Sequence, residues 1–204
     1  MDESHAYSVL DQQQNSDHFK RFAEYLGVPV ESTPTLIYLV DAKKKYVADA
    51  SNINSEALTA FVDQVNEGLV KPFLKSAPIP TEETGHVKTI VGSSFKDAVL
   101  GTEKEILLKV YAPWCGHCKK IAPEFEAAAE ALAANPNVIL ADFDGTLNEA
   151  EEINIQGYPT LFWYPKDKTQ DPVKFNGGRD KTGIIDWIKD HTEHEWVDLE
   201  TNNE

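Results

Sequence analysis

The chain has 204 residues, enough for one large domain or for two of about 100 residues each. Its 19 basic and 34 acidic side chains give a net charge of −15, which argues against nucleic-acid binding through a basic surface. No apolar run reaches the roughly 18 residues of a membrane-spanning helix, and the 41% hydrophobic content excludes a wholly disordered chain. The first residues have neither a basic start nor an apolar core, so they do not resemble a signal peptide.

The first third of the chain has short α and β patterns followed by a linker. Apolar residues from Phe19 to Leu26 have helical spacing and are expected to pack in a core. Two strand-like runs flank Lys43-Lys44-Lys45, which predicts a hairpin turn, and Phe61 lies in the next predicted helix. Three prolines between residues 70 and 83 predict an extended linker.

The remaining part has a stronger pattern of alternating strands and helices. Short apolar runs predict buried strands over residues 106–111, 138–143 and 160–164. Between the first two, apolar residues at helical spacing predict an amphipathic helix from Ile121 to Leu132. A last helix is expected to start near Asp180. This alternation predicts an α/β fold with a partly parallel sheet.

The two parts look like copies of one unit, the first of them incomplete. Residues 33–38 resemble residues 158–163, and each segment is followed by a predicted helix. Residues 6–11 take the place of residues 138–144, which leaves almost no chain for the opening strands and first large helix of the first copy. We therefore expect a fragment boundary at Met1.

The motif Cys115-Gly116-His117-Cys118 follows a predicted strand and opens a predicted helix. A helix N-terminus favours a thiolate at Cys115, and the thiolate is the attacking species in disulfide exchange. Cys118, one turn further on, faces the same side and can resolve a mixed disulfide. His117 can favour the thiolate as an imidazolium or by hydrogen bonding.

Three other interpretations of the two cysteines are less well supported. They could be half of a zinc site, but the chain has no second cysteine pair, and we expect no metal. They could form an inert bridge, but so short a loop gains little stability. They could be buried bystanders, although the neighbouring Trp, Gly and Lys residues are more typical of an exposed turn.

Two segments carry a family resemblance. The sequence YAPWCGHCKKIAP, residues 111–123, is similar to the active-site segment of protein disulfide isomerases. Gly157-Tyr158-Pro159-Thr160 resembles the cis-proline loop of the thioredoxin fold, a mixed sheet flanked by helices. The resemblance implies a catalytic thioredoxin domain (a′-like) over residues 85–192, a linker over residues 73–84 and an acidic tail over residues 193–204. It implies that residues 1–72 are part of a redox-inactive thioredoxin-like domain (b′-like).

The resemblance also implies the roles of the motif residues. Cys115 would be the nucleophile and Cys118 the resolving thiol, and the two would form the redox-active disulfide. Gly116 and His117 would complete the catalytic motif, with His117 stabilising the thiolate. No cofactor is implied.

Further residues are expected around the motif. Pro159 would be cis and, with Trp114 and Tyr158, would bind an extended substrate; the alternative for Pro159 is an ordinary turn at a strand start. Arg179 matches a family arginine that helps the resolving cysteine ionise, and its alternative is a solvated loop residue.

One pair departs from the family pattern. Family domains usually have a buried acid six residues before the first cysteine, often paired with a lysine on the next strand; here these positions are Lys109 and Asp142. The exchanged charges could still satisfy each other, as buried charges must. We expect both to tune the cysteine pKa values and Asp142 to be the proton relay, the alternative being that both side chains point outward.

The sequence therefore predicts a thiol–disulfide oxidoreductase and isomerase, with a chaperone-like peptide-binding module as the alternative. By resemblance, its substrates would be unfolded or misfolded disulfide-containing polypeptides in the endoplasmic reticulum lumen, and a thiol oxidase or glutathione would recycle it. No retention signal is visible at Glu204. The acidic tail is interpreted as solvated, with weak calcium binding as a minor option.

Overall fold

The computed structural model describes residues 16–28, 34–40, 44–51 and 54–198. The chain divides into two compact units, Met1–Lys75 and Ser76–Glu204. The predicted counterpart of the 138–144 strand, at residues 6–11, lies outside the described residues. None of the described helices combines the length and apolar character needed to cross a lipid bilayer.

Among its described residues, the first unit has two helices and a two-stranded sheet: α1 (Ser16–Leu26), β1 (Thr35–Leu39), β2 (Lys45–Asp49) and α2 (Ser55–Asn66). The strands are antiparallel, with Ile37 opposite Val47, as the two strand-like runs predict. The side-chain oxygen of Asn54 accepts the Ala57 amide at 2.8 Å. This contact satisfies one of the free N–H groups at the start of α2.

The second unit contains a five-stranded mixed sheet: β3 (Lys88–Thr89), β4 (Glu105–Tyr111), β5 (Val138–Asp144), β6 (Thr160–Tyr164) and β7 (Val173–Lys174). The strand order is β3-β5-β4-β6-β7. The first three strands in this order are parallel, and β6 and β7 are each antiparallel to their neighbour. The predicted α/β fold with a partly parallel sheet is confirmed.

Both faces of this sheet are covered. Helices α3 (Gly116–Ala131) and α4 (Lys181–His191) pack on one face, where Leu107 of β4 joins Phe125 and Ile184. The short helical turns Gly92–Ser94 and Lys96–Leu100 lie on the other face, where Leu108 joins Phe95. Successive residues of β4 therefore enter opposite cores, and its odd-numbered residues face α3.

The parts of the unit that the sequence pattern did not predict are short. Strands β3 and β7 have two residues each, all with exposed side chains, so they carry no apolar periodicity. The major elements agree with the prediction, and α4 starts after Asp180, whose carboxylate accepts the Gly183 amide at 2.7 Å.

The segment after α4 is held to the unit by its backbone, while the acidic side chains of Glu193, Glu195 and Asp198 are exposed. The carboxylate of the fully buried Glu105 accepts the hydroxyl of Thr192 and, at 2.7 Å, the amide of Glu193. The side chain of Asn135 accepts the Val197 amide at 2.8 Å and donates to its carbonyl at 3.0 Å. As far as Asp198, this segment is anchored to the unit because its backbone supplies donors to buried acceptors.

Candidate active site

The two cysteines lie where β4 ends and α3 begins. Cys115 is the N-cap of α3, and its amide donates to the Ala112 carbonyl at 3.0 Å, which closes a tight turn after the strand. Its sulfur accepts the backbone amide of Cys118 at 3.3 Å. Both residues are nearly buried, with exposed fractions of 8% for Cys115 and 4% for Cys118, and both are free thiols.

The two thiols differ in acidity. A hydrogen bond from the Cys118 side chain, with the backbone N–H groups of Cys118 and His117, lowers the pKa of Cys115 against the opposing effect of burial. Burial raises the pKa of Cys118, and the hydrogen bond to Cys115 adds to that rise. When one thiol of the pair ionises, it is therefore Cys115, the thiol nearer the surface.

The loop before β6 faces the cysteines. The Tyr158–Pro159 peptide bond is cis, and the Cys115 thiol donates to the Tyr158 carbonyl oxygen with an Sγ–O distance of 3.5 Å. The Tyr158 ring stands edge-on to Trp114 at a centroid distance of 5.8 Å. Trp114 is 72% exposed, so an aromatic surface lies beside the thiol and is open to solvent.

Gly145 supports this loop, a role that the sequence pattern did not predict. A Cβ atom added at Gly145 would lie 2.8 Å from the ring and hydroxyl of Tyr158, so a larger residue here would require the tyrosine ring to shift. The Gly145 amide also donates to the Tyr111 carbonyl at 2.9 Å, which fixes the end of β5 next to the end of β4. In sequence, a glycine after a strand indicates only a turn.

Lys109 and Asp142 form an ion pair inside the unit. They are directly opposite in the parallel β4–β5 register, and Nζ lies 3.0 Å from Oδ1. The Lys109 side chain is 3% exposed and that of Asp142 is 28% exposed. Burial raises the pKa of Asp142, and the charge of Lys109 opposes that rise. Both side chains point inward, so the alternative of two outward-facing charges does not apply.

Three other predicted residues are not in contact with the thiols through their side chains. His117 is exposed, and only its backbone N–H acts on Cys115. Gly116 has open space around the position of a Cβ atom. Arg179 is exposed and makes no hydrogen bond or ion pair with another described residue.

No metal centre accompanies this site in the described part of the chain. No three His, Cys, Asp or Glu side chains there are arranged to hold a metal ion.

The thioredoxin family matches residues 86–190, slightly more than half of the chain. A probable protein disulfide-isomerase ER-60 of Schistosoma mansoni is 33% identical over 90% of this chain and 36% of the relative. The protein disulfide-isomerase of Aspergillus niger is 36% identical over 86% of this chain and 35% of the relative. In a solution structure, the first thioredoxin domain of mouse Protein disulfide-isomerase A4 is 26% identical over 60% of this chain and 87% of that chain, with a TM-score of 0.47.

The family match and the two curated relatives identify the family. The chain belongs to the thioredoxin superfamily and, within it, to the protein disulfide isomerase family. It spans little more than a third of the length of the two curated relatives.

Proposed function

We propose that this chain is a thiol–disulfide oxidoreductase and isomerase in which Cys115 is the nucleophile and Cys118 the resolving thiol. The observation that carries the proposal is the position of Cys115 as N-cap of α3, with its sulfur 3.3 Å from the Cys118 amide. A helix N-terminus stabilises an anion, and disulfide exchange requires a thiolate. The buried Cys118 is one turn away, where it can attack Cys115 but is shielded from solvent.

The reaction follows from this order of acidity. The Cys115 thiolate attacks one sulfur of a substrate disulfide, the substrate S–S bond breaks, and the other sulfur leaves as a thiolate that takes up a proton. Cys118, after losing its proton, attacks the Cys115 sulfur, which forms the Cys115–Cys118 disulfide and releases the substrate as a thiolate. Oxidation of a substrate is the reverse sequence. Rearrangement occurs when another substrate thiolate attacks the mixed disulfide.

The substrates we propose are unfolded or misfolded polypeptides that contain disulfides. The solvent-exposed ring of Trp114 beside Tyr158 and cis Pro159 offers an apolar surface next to the nucleophile, suited to an extended chain. Glutathione or a thiol oxidase would restore the oxidised pair. The named relatives are protein disulfide isomerases, a family typical of the endoplasmic reticulum, and we propose that lumen as the location.

Two residues are proposed to assist the ionisation of Cys118. Asp142 is proposed as the relay that takes the proton of Cys118, because burial raises the pKa of its carboxyl toward the range in which a carboxylate accepts protons. Asp142→Asn should change the pH dependence of reoxidation, and an unchanged profile would remove Asp142 from the mechanism. Arg179 keeps the role implied by the family resemblance, and Arg179→Gln tests it by the same profile.

The domain arrangement is also a proposal. We assign residues 85–192 to the catalytic domain, 73–84 to a linker, and 193–204 to a tail whose first residues are anchored. Residues 1–72 are proposed to be the last part of a redox-inactive thioredoxin-like domain. The support is a matching order of elements: antiparallel β1 and β2 precede α2, as antiparallel β6 and β7 precede α4.

The test is refolding of a protein with scrambled disulfides, catalysed by the wild type, Cys115→Ser and Cys118→Ser. We expect Cys115→Ser to lose the activity. Cys118→Ser should keep part of the rearrangement activity and accumulate mixed disulfides. Suppression of aggregation should survive in Cys115→Ser, since it needs no thiol. Catalysis by a folded Cys115→Ser variant would overturn the proposal.

A further inference from the structure

Asn148 is a buried polar residue that follows the turn after β5. It is 3% exposed, and within the described residues its side chain makes hydrogen bonds only to backbone groups. The side-chain oxygen accepts the amide of Ala77 at 2.8 Å and that of Gly92 at 3.0 Å. The side-chain nitrogen donates to the carbonyl of Asp144 at 3.0 Å. Two N–H donors on one side and a carbonyl on the other determine which end of the amide is oxygen and which is nitrogen.

These contacts join three segments of the second unit. Ala77 lies in the proposed linker at the start of this unit, Gly92 begins a short helical turn, and Asp144 ends β5. The Ser76 hydroxyl also accepts the Ser93 amide at 2.9 Å, so a second contact pairs the linker with the helical turn. A buried amide is costly unless it is hydrogen-bonded, so displacement of any of the three segments is unfavourable.

The contact with Asp144 fixes the end of β5. The Asp144 carbonyl oxygen accepts the backbone amides of Leu147 and Asn148, at 3.2 and 3.0 Å, in addition to the Asn148 side chain. The Asp144 carboxylate accepts the amide of Thr146 at 2.8 Å and its hydroxyl at 2.6 Å. Residues 145–147 are therefore closed into a turn whose position depends on Asn148.

Gly145, inside this turn, transmits the constraint to the loop before β6 (residues 157–159), here called the substrate loop. Its α-carbon lies so close to the Tyr158 ring that an added Cβ atom would be 2.8 Å from it. The Tyr158 ring in turn contacts Trp114, and the Tyr158 carbonyl accepts a hydrogen bond from the Cys115 thiol. A series of contacts therefore leads from the Asn148 amide to the surface beside the nucleophile.

We infer that Asn148 is a positioning residue for the proposed reaction: its buried amide holds the turn after β5, and through Gly145 this turn sets the position of the Tyr158 ring. The inference rests on the proposed function, because Tyr158 is part of the surface to which the substrate is assigned. Within the described residues, Asn148 has no hydrogen bond to either thiol. It should therefore act on the binding of an extended substrate and not on the ionisation of Cys115.

The variant that tests this role is Asn148→Asp, which has nearly the same shape. A carboxylate keeps both acceptor contacts with the backbone amides, but it cannot donate to the Asp144 carbonyl and repels it. Asn148→Ala, which removes the side-chain contacts without adding a charge, is made in parallel in case the aspartate variant does not fold. Ser76→Ala is the matched control, because it removes the contacts with Ser93 in the same region and leaves those of Asn148 in place.

The first measurement does not depend on activity. In a ¹⁵N NMR spectrum of the full chain, the indole N–H signal of Trp114, assigned with Trp114→Phe, reports the position of the Tyr158 ring. The two rings meet edge-on with a centroid distance of 5.8 Å, so movement of one changes the magnetic environment of the other. We expect this signal to shift in both Asn148 variants and in Gly145→Ala, and to keep its wild-type position in Ser76→Ala.

The second measurement is the kinetics of insulin reduction. Loss of one hydrogen bond corresponds to a change of about fivefold, and we expect kcat/KM of Asn148→Asp to fall by about this factor, mainly through KM. Alkylation of Cys115 by iodoacetamide should keep its wild-type rate, because the start of α3 is unchanged. Since Asn148 and Gly145 act on the same ring, the double variant Asn148→Asp/Gly145→Ala should lose less than the product of the two single losses.

The inference fails if either the Trp114 signal or the KM of a folded Asn148 variant matches that of the wild type. It also fails if the losses in Asn148→Asp and Gly145→Ala multiply, because Asn148 would then act independently of the Tyr158 ring. Equal changes in Ser76→Ala would overturn it as well, since general loosening of the linker would explain them. Failure of the proposed function has a different signature: the wild type itself would not reduce insulin, whereas the Trp114 signal would still respond to the Asn148 variants.

Discussion

The contact between Gly145 and Tyr158 predicts that one methyl group can disturb the substrate loop. In Gly145→Ala, the new Cβ atom would lie 2.8 Å from the tyrosine ring, whereas 3.4 Å is the lower end of ordinary contact, so the ring must move by about 0.6 Å. The Ile155 methyl, at 3.0 Å, limits movement of the loop on another side. Overpacking of this kind costs about 1 to 3 kcal/mol, and a partly exposed ring places the change near the lower end.

The displacement should affect function more than stability. The Tyr158 ring is edge-on to Trp114, and the Tyr158 carbonyl accepts a hydrogen bond from the Cys115 thiol. Movement of Tyr158 therefore alters the surface beside the nucleophile. We expect kcat/KM for reduction of insulin to fall several-fold, mainly through KM, with a loss of about 1 kcal/mol in the free energy of unfolding in urea.

Gly157→Ala is the matched control, because a Cβ atom at Gly157 meets no atom within 4 Å. Neither glycine has a positive φ angle, so alanine strains neither backbone and the two variants differ in steric contact. Equal kinetics for Gly145→Ala and Gly157→Ala would refute the supporting role of Gly145.

Two further predictions concern the nucleophile and the buried acid. Because hydrogen bonds lower the pKa of Cys115, its alkylation by iodoacetamide should continue below the pKa of an ordinary thiol, about 8.5, and decline as the pH falls through the lowered pKa. The lowered pKa of Cys115 also stabilises the reduced protein. This contribution to the free energy of unfolding is present above the unfolded pKa of about 8.5 and is lost as the pH falls through the pKa of the folded state. Alkylation like that of an unfolded cysteine would contradict this. Glu105→Leu leaves the Thr192 and Glu193 donors unpaired and should lower the free energy of unfolding in urea by about 2 to 5 kcal/mol. Glu103→Leu, at an exposed position, should change it little. Equal losses in the two variants would contradict this prediction.

The sequence predicted the strands and helices in which the buried positions carry apolar side chains. Strands β4, β5 and β6 are apolar because each of them contributes side chains to the cores on both faces of the sheet. Helix α3 has an apolar stripe because one of its sides faces the sheet. The site followed from local spacing, since a strand end, a helix start and two cysteines one turn apart determine their own geometry. Lys109 and Asp142 could be paired because parallel neighbours in register bring those positions together.

Other features depend on contacts between distant residues that spacing does not reveal. Glu105 begins an apolar strand and would be expected at the surface, yet it is fully buried because the segment after α4 returns to donate hydrogen bonds to it. The fit of Tyr158 against Gly145 joins two loops, and only the folded sheet brings them together. The acidic side chains of the last described residues are exposed. Their composition gave no sign that Trp196 packs against the core or that the backbone of Val197 pairs with Asn135.

We propose that the fold stabilises the Cys115 thiolate and that this makes the Cys115–Cys118 disulfide an oxidant. Its most direct test is a redox titration of the intact chain against reduced and oxidised glutathione, with the fraction of protein disulfide measured after acid quenching and alkylation. Stabilisation of the reduced form raises the reduction potential, and we expect a value near the roughly −180 mV known for protein disulfide isomerase. A value near the roughly −270 mV of thioredoxin would contradict this proposal and indicate a reductase.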